Sequence, residues 1–367
     1  MKGSDLPDAA LFHLDTFQRS AGIKEVEMKA IAPGKLIISG EHSVLYGMPA
    51  IAMAVQRQAR AALRNSRERS PRRIFFELMN YGQTQSVTVR ELRKIRDTIL
   101  SKHEQFMKGQ ISLKEILLRP FDLFNYVVIR LVETFHIKLT KGLRVCLDSN
   151  IPIGCGMGSS AATLLSLLHL LAHYFGLERQ LSRFVKFGLE AEGFQHLRSS
   201  GVDLYTSING GCIHFQGGTI RARLPLLKEH VYTVHTGGPE STTAECVNHS
   251  ASYFKQSKSL AKDFGAVTAG VAAALEAANF EQLQALVREN HRLLKGISIV
   301  PERVGRFISE VEARGGAAKI CGAGAVRGDK GGIVLVLAEE SPEDMCRRYD
   351  YTCEPLQGDP LGVRMHL

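Results

Sequence analysis

Three glycines at alternate positions, followed by two serines, form the segment of this chain best suited to binding an anion. The segment reads I-P-I-G-C-G-M-G-S-S-A-A from Ile151 to Ala162. Glycines lack Cβ atoms, so the backbone can turn tightly and bring consecutive N–H groups against a phosphate. A helix that begins near Ser159 adds the positive end of its dipole. We therefore predict a polyphosphate-binding loop formed by Gly154, Cys155, Gly156, Met157, Gly158, Ser159 and Ser160.

The glycine spacing separates this loop from two common phosphate-binding motifs. No Gly-Lys-Ser/Thr follows the glycines, as a P-loop requires, and the G-x-G-x-G spacing differs from the dinucleotide-binding fingerprint. A glycine-rich turn that only caps a helix is the simpler alternative. In either case we expect one of the two serines to cap the helix that follows.

Charged residues outside the loop could supply the remaining chemistry of phosphoryl transfer. Lys35 and Glu41 lie in P-G-K-L-I-I-S-G-E-H, Pro33 to His42. Glu192 lies near the end of a predicted helix, Asp203 follows S-S-G-V, and a second glycine turn, K-I-C-G-A-G-A, occupies residues 319–325. Phosphoryl transfer needs alignment, neutralisation of charge and removal of a proton from the attacking hydroxyl. These residue types can provide each of them.

Together these segments resemble the three motifs of the GHMP kinase family, and they occur in the family's order. P-G-K-x-x-x-x-G-E-H resembles the first motif, G-x-G-S-S-A-A the second and K-x-x-G-A-G the third. Within the family, G-E-H-S-V-L-Y-G is most similar to mevalonate kinases. Galactokinases carry Arg-Val-Asn after the Pro-Gly, and phosphomevalonate kinases usually show Glu-Tyr where Glu41 and His42 stand here.

The resemblance implies an α+β, two-domain GHMP kinase fold, with an N-terminal ribosomal-S5-like domain and a C-terminal ferredoxin-like α/β sandwich. It implies an enzyme that uses ATP and Mg²⁺ to phosphorylate the primary hydroxyl of mevalonate. Asp203 matches the catalytic aspartate and Lys35 the lysine beside it. Ser160 and Glu192 match the Mg²⁺ ligands. The implied substrate-binding residues are Lys35, Glu41, His42, Asp203, Thr236, Gly322, Ala323 and Gly324.

The resemblance leaves other functions open. Phosphomevalonate kinase is the nearest alternative activity, and a sugar 1-kinase comes next. The third motif continues as A-V-R-G-D-K-G-G, which inserts Arg327, Asp329 and Lys330 and indicates either a mobile surface loop or an altered specificity. A GHMP-fold regulator that has lost catalysis is disfavoured, because the residues of the implied catalytic and metal sites are all present.

Composition favours a two-domain enzyme that acts on small anionic substrates. The chain has 367 residues, of which 44% are hydrophobic, and no run approaches the roughly 20 apolar residues of a membrane span. No apolar signal-peptide core is seen at the N-terminus, so we expect a cytoplasmic protein. The net charge of +9 is spread along the chain without interleaved aromatic residues, which argues against nucleic-acid binding. The seven scattered cysteines predict neither a disulfide framework nor a zinc site, and the family resemblance implies a homodimer.

We predict an N-terminal extension at residues 1–22 that forms one helix, an ATP- and Mg²⁺-binding domain at 23–222, and a C-terminal domain at 223–367. Strand-like runs at Ala50–Leu63 and Ile74–Met79 predict a hairpin with an arginine-rich tip. The predicted helices of the first domain are 121–135, 161–175 and 181–192, and its predicted strands include 143–147 and 212–216. The second domain is predicted to contain strands at 231–234, 317–320, 333–337 and 362–366 and helices at 243–254, 259–278, 280–295 and 301–315.

Overall fold

The computed structural model describes residues 26–64, 72–195, 199–257 and 259–366, and the helix predicted in residues 1–22 lies outside them. The helices are α1 Val89–Met107, α2 Asp122–Thr134, α3 Ser159–Tyr174, α4 Leu181–Gly193, α5 Val202–Asn209, α6 Thr243–Gln256, α7 Leu260–Glu276, α8 Phe280–Gly296, α9 Glu302–Ala313 and α10 Glu343–Tyr349. The strands are β1 Val26–Ser39, β2 Ala50–Arg64, β3 Arg73–Leu78, β4 Gln83–Thr88, β5 Leu143–Ser149, β6 Cys212–Gln216, β7 Thr219–Leu224, β8 Val231–His235, β9 Ala317–Ile320, β10 Ile333–Leu337, β11 Thr352–Pro355 and β12 Arg364–Met365.

The first sheet has eight strands among the described residues. Its main path is β12-β1-β2-β5-β3-β4, and β6 pairs with β2 and β7. The β1–β2 pair is antiparallel, with Ala30 opposite Ala61, and its register shifts between Pro33 and Gly34. β3 and β5 run parallel. The irregularity at Pro33 is expected, because proline cannot donate to a strand ladder.

The second sheet is antiparallel throughout, in the order β11-β8-β10-β9. All five residues of β10 are buried. Helix α9 packs against this sheet, where its Val304, Phe307 and Ile308 are buried in one cluster with Val334 of β10. This sheet therefore builds a core of its own around its central strand.

Helix α3 forms the centre of the larger core. Eleven of its sixteen residues are buried, and it lies against β1 and β2 on one side and α2, α4 and α5 on the other. A helix that is apolar on nearly all faces has to be covered on nearly all faces. Its N-terminus is thus fixed in place by the packing of the helix behind it.

Two predictions about the sheets are wrong. The runs that became β2 and β3 do not form a hairpin, since β5 lies between them and pairs with both; the predicted tip, residues 65–71, lies outside the described part. The C-terminal strand-like run does not join the second sheet. It forms β12, which pairs with β1 at Ala30 and Ile31.

The other predicted elements are confirmed to within a few residues, and β6 has the predicted bounds. None of the helices within the described ranges is long and apolar enough to cross a membrane. The division at residues 222 and 223 stays a prediction; β7, which ends at Leu224, still pairs in the first sheet.

Candidate active site

A cleft of about 600 Å³ collects most of the residues that the sequence singles out. It lies where β1, the loop before α3, the start of α5 and the turn after β9 meet. The predicted residues that line it are Lys35, Glu41, His42, Gly154, Gly156, Met157, Gly158, Ser159, Ser160, Glu192, Asp203, Gly322 and Ala323. Residues from distant parts of the chain therefore share one cavity.

The bend in β1 places Lys35 beneath the loop that precedes α3. The backbone N–H of Lys35 donates to the carbonyl oxygen of Met157, at 2.9 Å. A Cβ on Gly34 would lie 2.9 Å from that same oxygen. The Pro-Gly-Lys sequence therefore serves a close approach of two backbones: the glycine leaves room, and the lysine directly after it enters the cleft.

Lys35 and Asp203 form an ion pair at the bottom of the cleft. The Lys35 Nζ lies 3.1 Å from Asp203 Oδ1, and it also donates to the carbonyl oxygen of Gly156 at 3.0 Å. The lysine side chain is 4% exposed, whereas the aspartate is 31% exposed. The carboxylate is therefore accessible to a ligand in the cleft while the ammonium group behind it is held in place.

Glu192, at the end of α4, is a buried carboxyl group close to this pair. Ser199 donates a 2.5 Å hydrogen bond to its Oε2. Burial, together with the nearby negative charge of Asp203, raises the pKa of Glu192 to about 8. Without a cation in the cleft this carboxyl group is mostly protonated at neutral pH, and a bound cation would favour its ionised form.

The two serines at the start of α3 do not cap the helix, contrary to the sequence prediction. The N-cap residue is Gly158, and no side chain caps this helix end. The hydroxyl of Ser160 instead donates to Oε1 of Gln195, at 2.7 Å. Because Ser159 and Ser160 both line the cleft, their hydroxyls and the first turn of α3 face the space where an anion would lie.

The glycine loop packs directly on the third motif. Gly156 has a φ of +86°, and a Cβ there would lie 2.8 Å from the carbonyl oxygen of Cys321. From the other side, a Cβ on Gly322 would lie 2.9 Å from the Cα of Gly156. A Cβ on Gly158 would meet Lys35 at 3.1 Å. Contact between two backbones thus requires glycine at 156 and 322.

Gly156→Ala is expected to weaken ATP binding by roughly tenfold, about 1.4 kcal/mol, because the added Cβ would push the loop and the third-motif turn apart. Gly176→Ala is the matched control. Gly176 follows the other end of α3 with a φ of +66°, and a Cβ there would meet no heavy atom within 4 Å. Both substitutions add backbone strain, but only the first adds a collision. Calorimetric ATP titrations that give the two variants equal affinities, with thermal unfolding recorded for both, would contradict this account.

Glu41 and His42 tie the end of β1 to the third motif. Glu41 forms a buried ion pair with Lys319, whose ammonium group also donates to the carbonyl oxygen of Ile37 at 3.2 Å. Burial raises the pKa of Glu41, although Lys319 opposes the shift. Its Oε2 has no hydrogen-bond partner within the described part of the chain. Burial also lowers the pKa of His42, to about 4, so its imidazole is neutral.

Three predicted site residues are not brought into the cleft lining. Thr236 is buried, and its hydroxyl donates to the carbonyl oxygen of Gly332 and accepts from the N–H of Gly331. The thiol of Cys155 is buried 3.2 Å from a ring nitrogen of His235. Gly324 faces away from the cleft, because a Cβ there would lie 2.3 Å from the carbonyl oxygen of Ile299.

The charges inserted after the third motif also lie away from the cleft. Arg327 pairs with Glu245 at 3.2 Å and donates to the carbonyl oxygen of Glu240. The side chain of Lys330 covers Gly237, where a Cβ would lie 2.5 Å from it. The insertion is packed against the segment that leads into α6, and none of its charged residues lines the cleft.

The polar residues at the cleft that the sequence prediction did not select include Gln195, Ser199 and Arg119. The hydroxyl of Ser160 donates to Gln195, and the hydroxyl of Ser199 donates to Glu192. Arg119 also lines the cleft and lies 3.2 Å from Asp122. The S-S-G-V-D segment was singled out for its aspartate, yet its first serine is the contact of Glu192. No spacing rule connects Gln195 to Ser160, because their contact depends on how α4 packs on α3.

Comparison with known proteins agrees with this geometry. Residues 123–211 match the family described as GHMP kinases N terminal domain. This part of the chain is similar to the N-terminal domain of GHMP kinases. The matched range includes the glycine loop, Glu192 and Asp203.

Relatives and solved structures extend this GHMP kinase likeness to most of the chain. The mevalonate kinase of Thermococcus onnurineus is 27% identical over 86% of this chain and 90% of its own length. The crystal structure of the Methanococcus jannaschii mevalonate kinase has a TM-score of 0.70 at 21% identity and covers 93% of this chain and 99% of its own. The crystal structure of Lactococcus lactis galactokinase complexed with galactose also has a TM-score of 0.70. It is 14% identical and covers 92% of this chain and 94% of its own. The GHMP kinase fold is thus confirmed, and these relatives are kinases.

Proposed function

We propose that this chain transfers the γ-phosphoryl group of ATP to the primary hydroxyl of mevalonate, giving 5-phosphomevalonate and ADP. The observation that carries the proposal is the Lys35–Asp203 pair, 3.1 Å apart, in the same cleft as the glycine loop and the start of α3. A carboxylate next to a phosphate-binding loop is the arrangement that an alcohol phosphotransferase requires. The identity of the acceptor is suggested by the named relatives.

Asp203 accepts the proton of the attacking hydroxyl. As the oxygen–phosphorus bond to the acceptor forms, the bond between the γ-phosphorus and the bridging oxygen breaks, and ADP leaves. Lys35 lies against Asp203 and stabilises the negative charge that develops on the acceptor oxygen. The lysine is held by the carbonyl oxygen of Gly156 as well, so its position does not depend on the aspartate alone.

The cleft offers hard oxygen donors that fit Mg²⁺. Glu192 and Ser160 both line it, and the phosphates of ATP and water would complete an octahedral shell. Within the described part of the chain, no group of three or more His, Cys, Asp or Glu residues could hold a metal alone. A shared protein–nucleotide site is consistent with that. Bound Mg²⁺ would supply neutralisation of charge on the phosphates.

The charges of the cleft favour mevalonate over phosphomevalonate. Among the described residues, one lysine, Lys35, and one arginine, Arg119, line the cleft. Lys35 already forms an ion pair with Asp203. The imidazole of His42 is neutral. A phosphorylated acceptor would bring two further negative charges and would require more cations than these. Arg327, the candidate for that role, is paired outside the cleft.

An assay of ADP release by the purified chain tests the proposed acceptor. Mevalonate, phosphomevalonate, galactose and homoserine are offered separately with ATP and Mg²⁺, and mevalonate is expected to give the highest kcat/KM. An acceptor-free reaction measures background ATP hydrolysis. Turnover with another acceptor and none with mevalonate would refute the proposed substrate while leaving phosphoryl transfer intact.

A further inference from the structure

The corner that follows β1 holds a histidine in an unusual backbone conformation. His42 has a φ of +57° and a ψ of −50°, in a positive-φ region that non-glycine residues seldom occupy. The residue is buried, at 5% exposure. A side chain kept in this region needs surrounding contacts that fix it. The contacts of the His42 ring therefore have a structural purpose.

Both ring nitrogens of His42 have a partner. Nδ1 lies 2.8 Å from the hydroxyl of Ser250, on α6, and Nε2 lies 3.1 Å from the carbonyl oxygen of Ala323, in the third-motif turn. Ser250 is 1% exposed. The imidazole is thus a buried bridge between a helix and the turn that packs on the glycine loop.

The chemistry of the partners determines the tautomer of His42. A carbonyl oxygen only accepts, so Nε2 must carry the hydrogen. Because the buried ring is neutral, Nδ1 is then an acceptor, and the hydroxyl of Ser250 must donate to it. The hydroxyl of Ser250 also has a second possible acceptor, the carbonyl oxygen of Val247 at 3.0 Å. If it donated there instead, Nδ1 would lack its donor, and the contact with Ala323 alone would favour the Nε2–H form.

Helix α6 contacts the same region at two further points. The thiol of Cys246, one turn before Ser250, lies 3.4 Å from the carbonyl oxygen of Gly324. On the other side, the Tyr46 ring of the short helix after His42 stacks on Phe254, with ring centroids 4.3 Å apart. The helix thus holds both the corner and the glycine turn, and Ser250 lies between these contacts.

We propose that Ser250 is a positioning residue: by donating to Nδ1, its hydroxyl supports the Nε2–H tautomer and the orientation of the His42 ring that bind the Ala323 carbonyl of the turn packed against the glycine loop. This inference rests on the proposed phosphotransferase function for its kinetic consequences. The hydrogen bond from His42 to the carbonyl oxygen of Ala323 holds this turn at a fixed distance from Gly156. Misplacement of the turn would affect the aligned transition state more than the binding of either substrate.

Kinetics of Ser250→Ala test the role of the hydroxyl. The variant is expected to lower kcat roughly tenfold while each KM changes less than about threefold. Ser252→Ala is the matched control, since the exposed Ser252 on the same helix donates to the carbonyl oxygen of His249 in the same way; it should be unchanged. Ser250→Thr keeps the hydroxyl and should retain most of kcat. Wild-type kcat in Ser250→Ala would overturn the proposal.

A double-mutant cycle tests whether Ser250 acts through His42. His42→Asn removes the imidazole ring but keeps a polar, non-glycine side chain at this positive φ. Added to His42→Asn, Ser250→Ala is expected to lower kcat by no more than about twofold further. If the double variant lowered kcat by the product of the two single decreases, Ser250 would act independently of the ring, and the proposal would be overturned.

The tautomer itself can be observed without any substrate. With ¹⁵N-labelled histidine, the ring of His42, assigned by its loss in His42→Asn, is expected to give the Nε2–H neutral form at pH 7 and a changed population in Ser250→Ala. A predominant Nδ1–H form in the wild type would overturn the proposal. An inactive wild type that gives the expected spectrum would instead count against the proposed function alone.

Discussion

Asp203→Asn is expected to lower kcat by roughly 10²- to 10⁴-fold, the usual contribution of a positioned general base. The amide cannot accept the proton of the acceptor hydroxyl, and it leaves the buried ammonium of Lys35 without its 3.1 Å partner. ATP affinity should stay within about threefold of the wild type, because the substitution leaves the glycine loop intact. Single-turnover rates and ATP titrations measure the two effects separately.

Asp148→Asn is the control for this experiment. Asp148 lies on β5, is 27% exposed and is 4.0 Å from Arg60, so its loss removes a comparable charge outside the cleft. Its kcat should match the wild type. A kcat for Asp203→Asn that is also close to the wild type would remove Asp203 from the proposed proton transfer.

Glu192→Gln is expected to raise the Mg²⁺ concentration for half-maximal activity at least about tenfold, since it deletes a charged oxygen ligand. The wild type should also show a pH dependence. The carboxyl group of Glu192 has a pKa of about 8, so Mg²⁺ competes with a proton for this carboxylate below that pH. Apparent Mg²⁺ affinity should therefore rise as the pH increases towards 8 and then level off, and the glutamine variant should lack this slope. Mg²⁺ titrations at several pH values measure both.

Glu190→Gln is the matched control for the metal experiment. Glu190 precedes Glu192 by two residues on α4, but it is exposed and pairs with Arg130 at 3.0 Å. Its Mg²⁺ titration should follow that of the wild type. If Glu192→Gln gave the same curve, Glu192 would have a structural role, accepting from Ser199, and the proposed metal site would be wrong.

Local patterns in the sequence led to many of the residues that line one side of the cleft. Three alternate glycines with positive φ and a long apolar run require a tight loop and then a buried helix, and both signals lie within 24 residues of Ile151. The Pro-Gly-Lys and Lys-x-x-Gly motifs also led to residues in the cleft. Here the sequence pattern and the final structure depend on the same neighbouring residues.

Contacts between distant segments could not be predicted in this way. Strand β5 lies between β2 and β3 and pairs with both, and no residue pattern in the sequence between β2 and β3 indicates a third strand. Strand β12 has two residues and joins the first sheet from the far end of the chain. Hairpin rules concern neighbouring segments, so they fail where pairing is decided by packing.

The same limit applies at the candidate site, where contacts between distant segments could not be predicted. Thr236 was selected from a Thr-Gly-Gly-Pro segment similar to that of the family, but its hydroxyl is used by the loop at Gly331 and Gly332. Gly156 was selected for a phosphate, whereas its contact with Cys321 is equally decisive. The division into domains, the homodimer and the cytoplasmic location stay predictions.

The central claim is the transfer of a phosphoryl group to one hydroxyl, and identification of the product tests it most directly. The chain is incubated with ATP, Mg²⁺ and mevalonate, and the product is examined by phosphorus-coupled NMR. The account predicts one phosphate monoester per ADP, with its phosphorus coupled to the protons of the primary alcohol carbon. ADP formed with free phosphate alone, or a phosphate on any other oxygen, would contradict it.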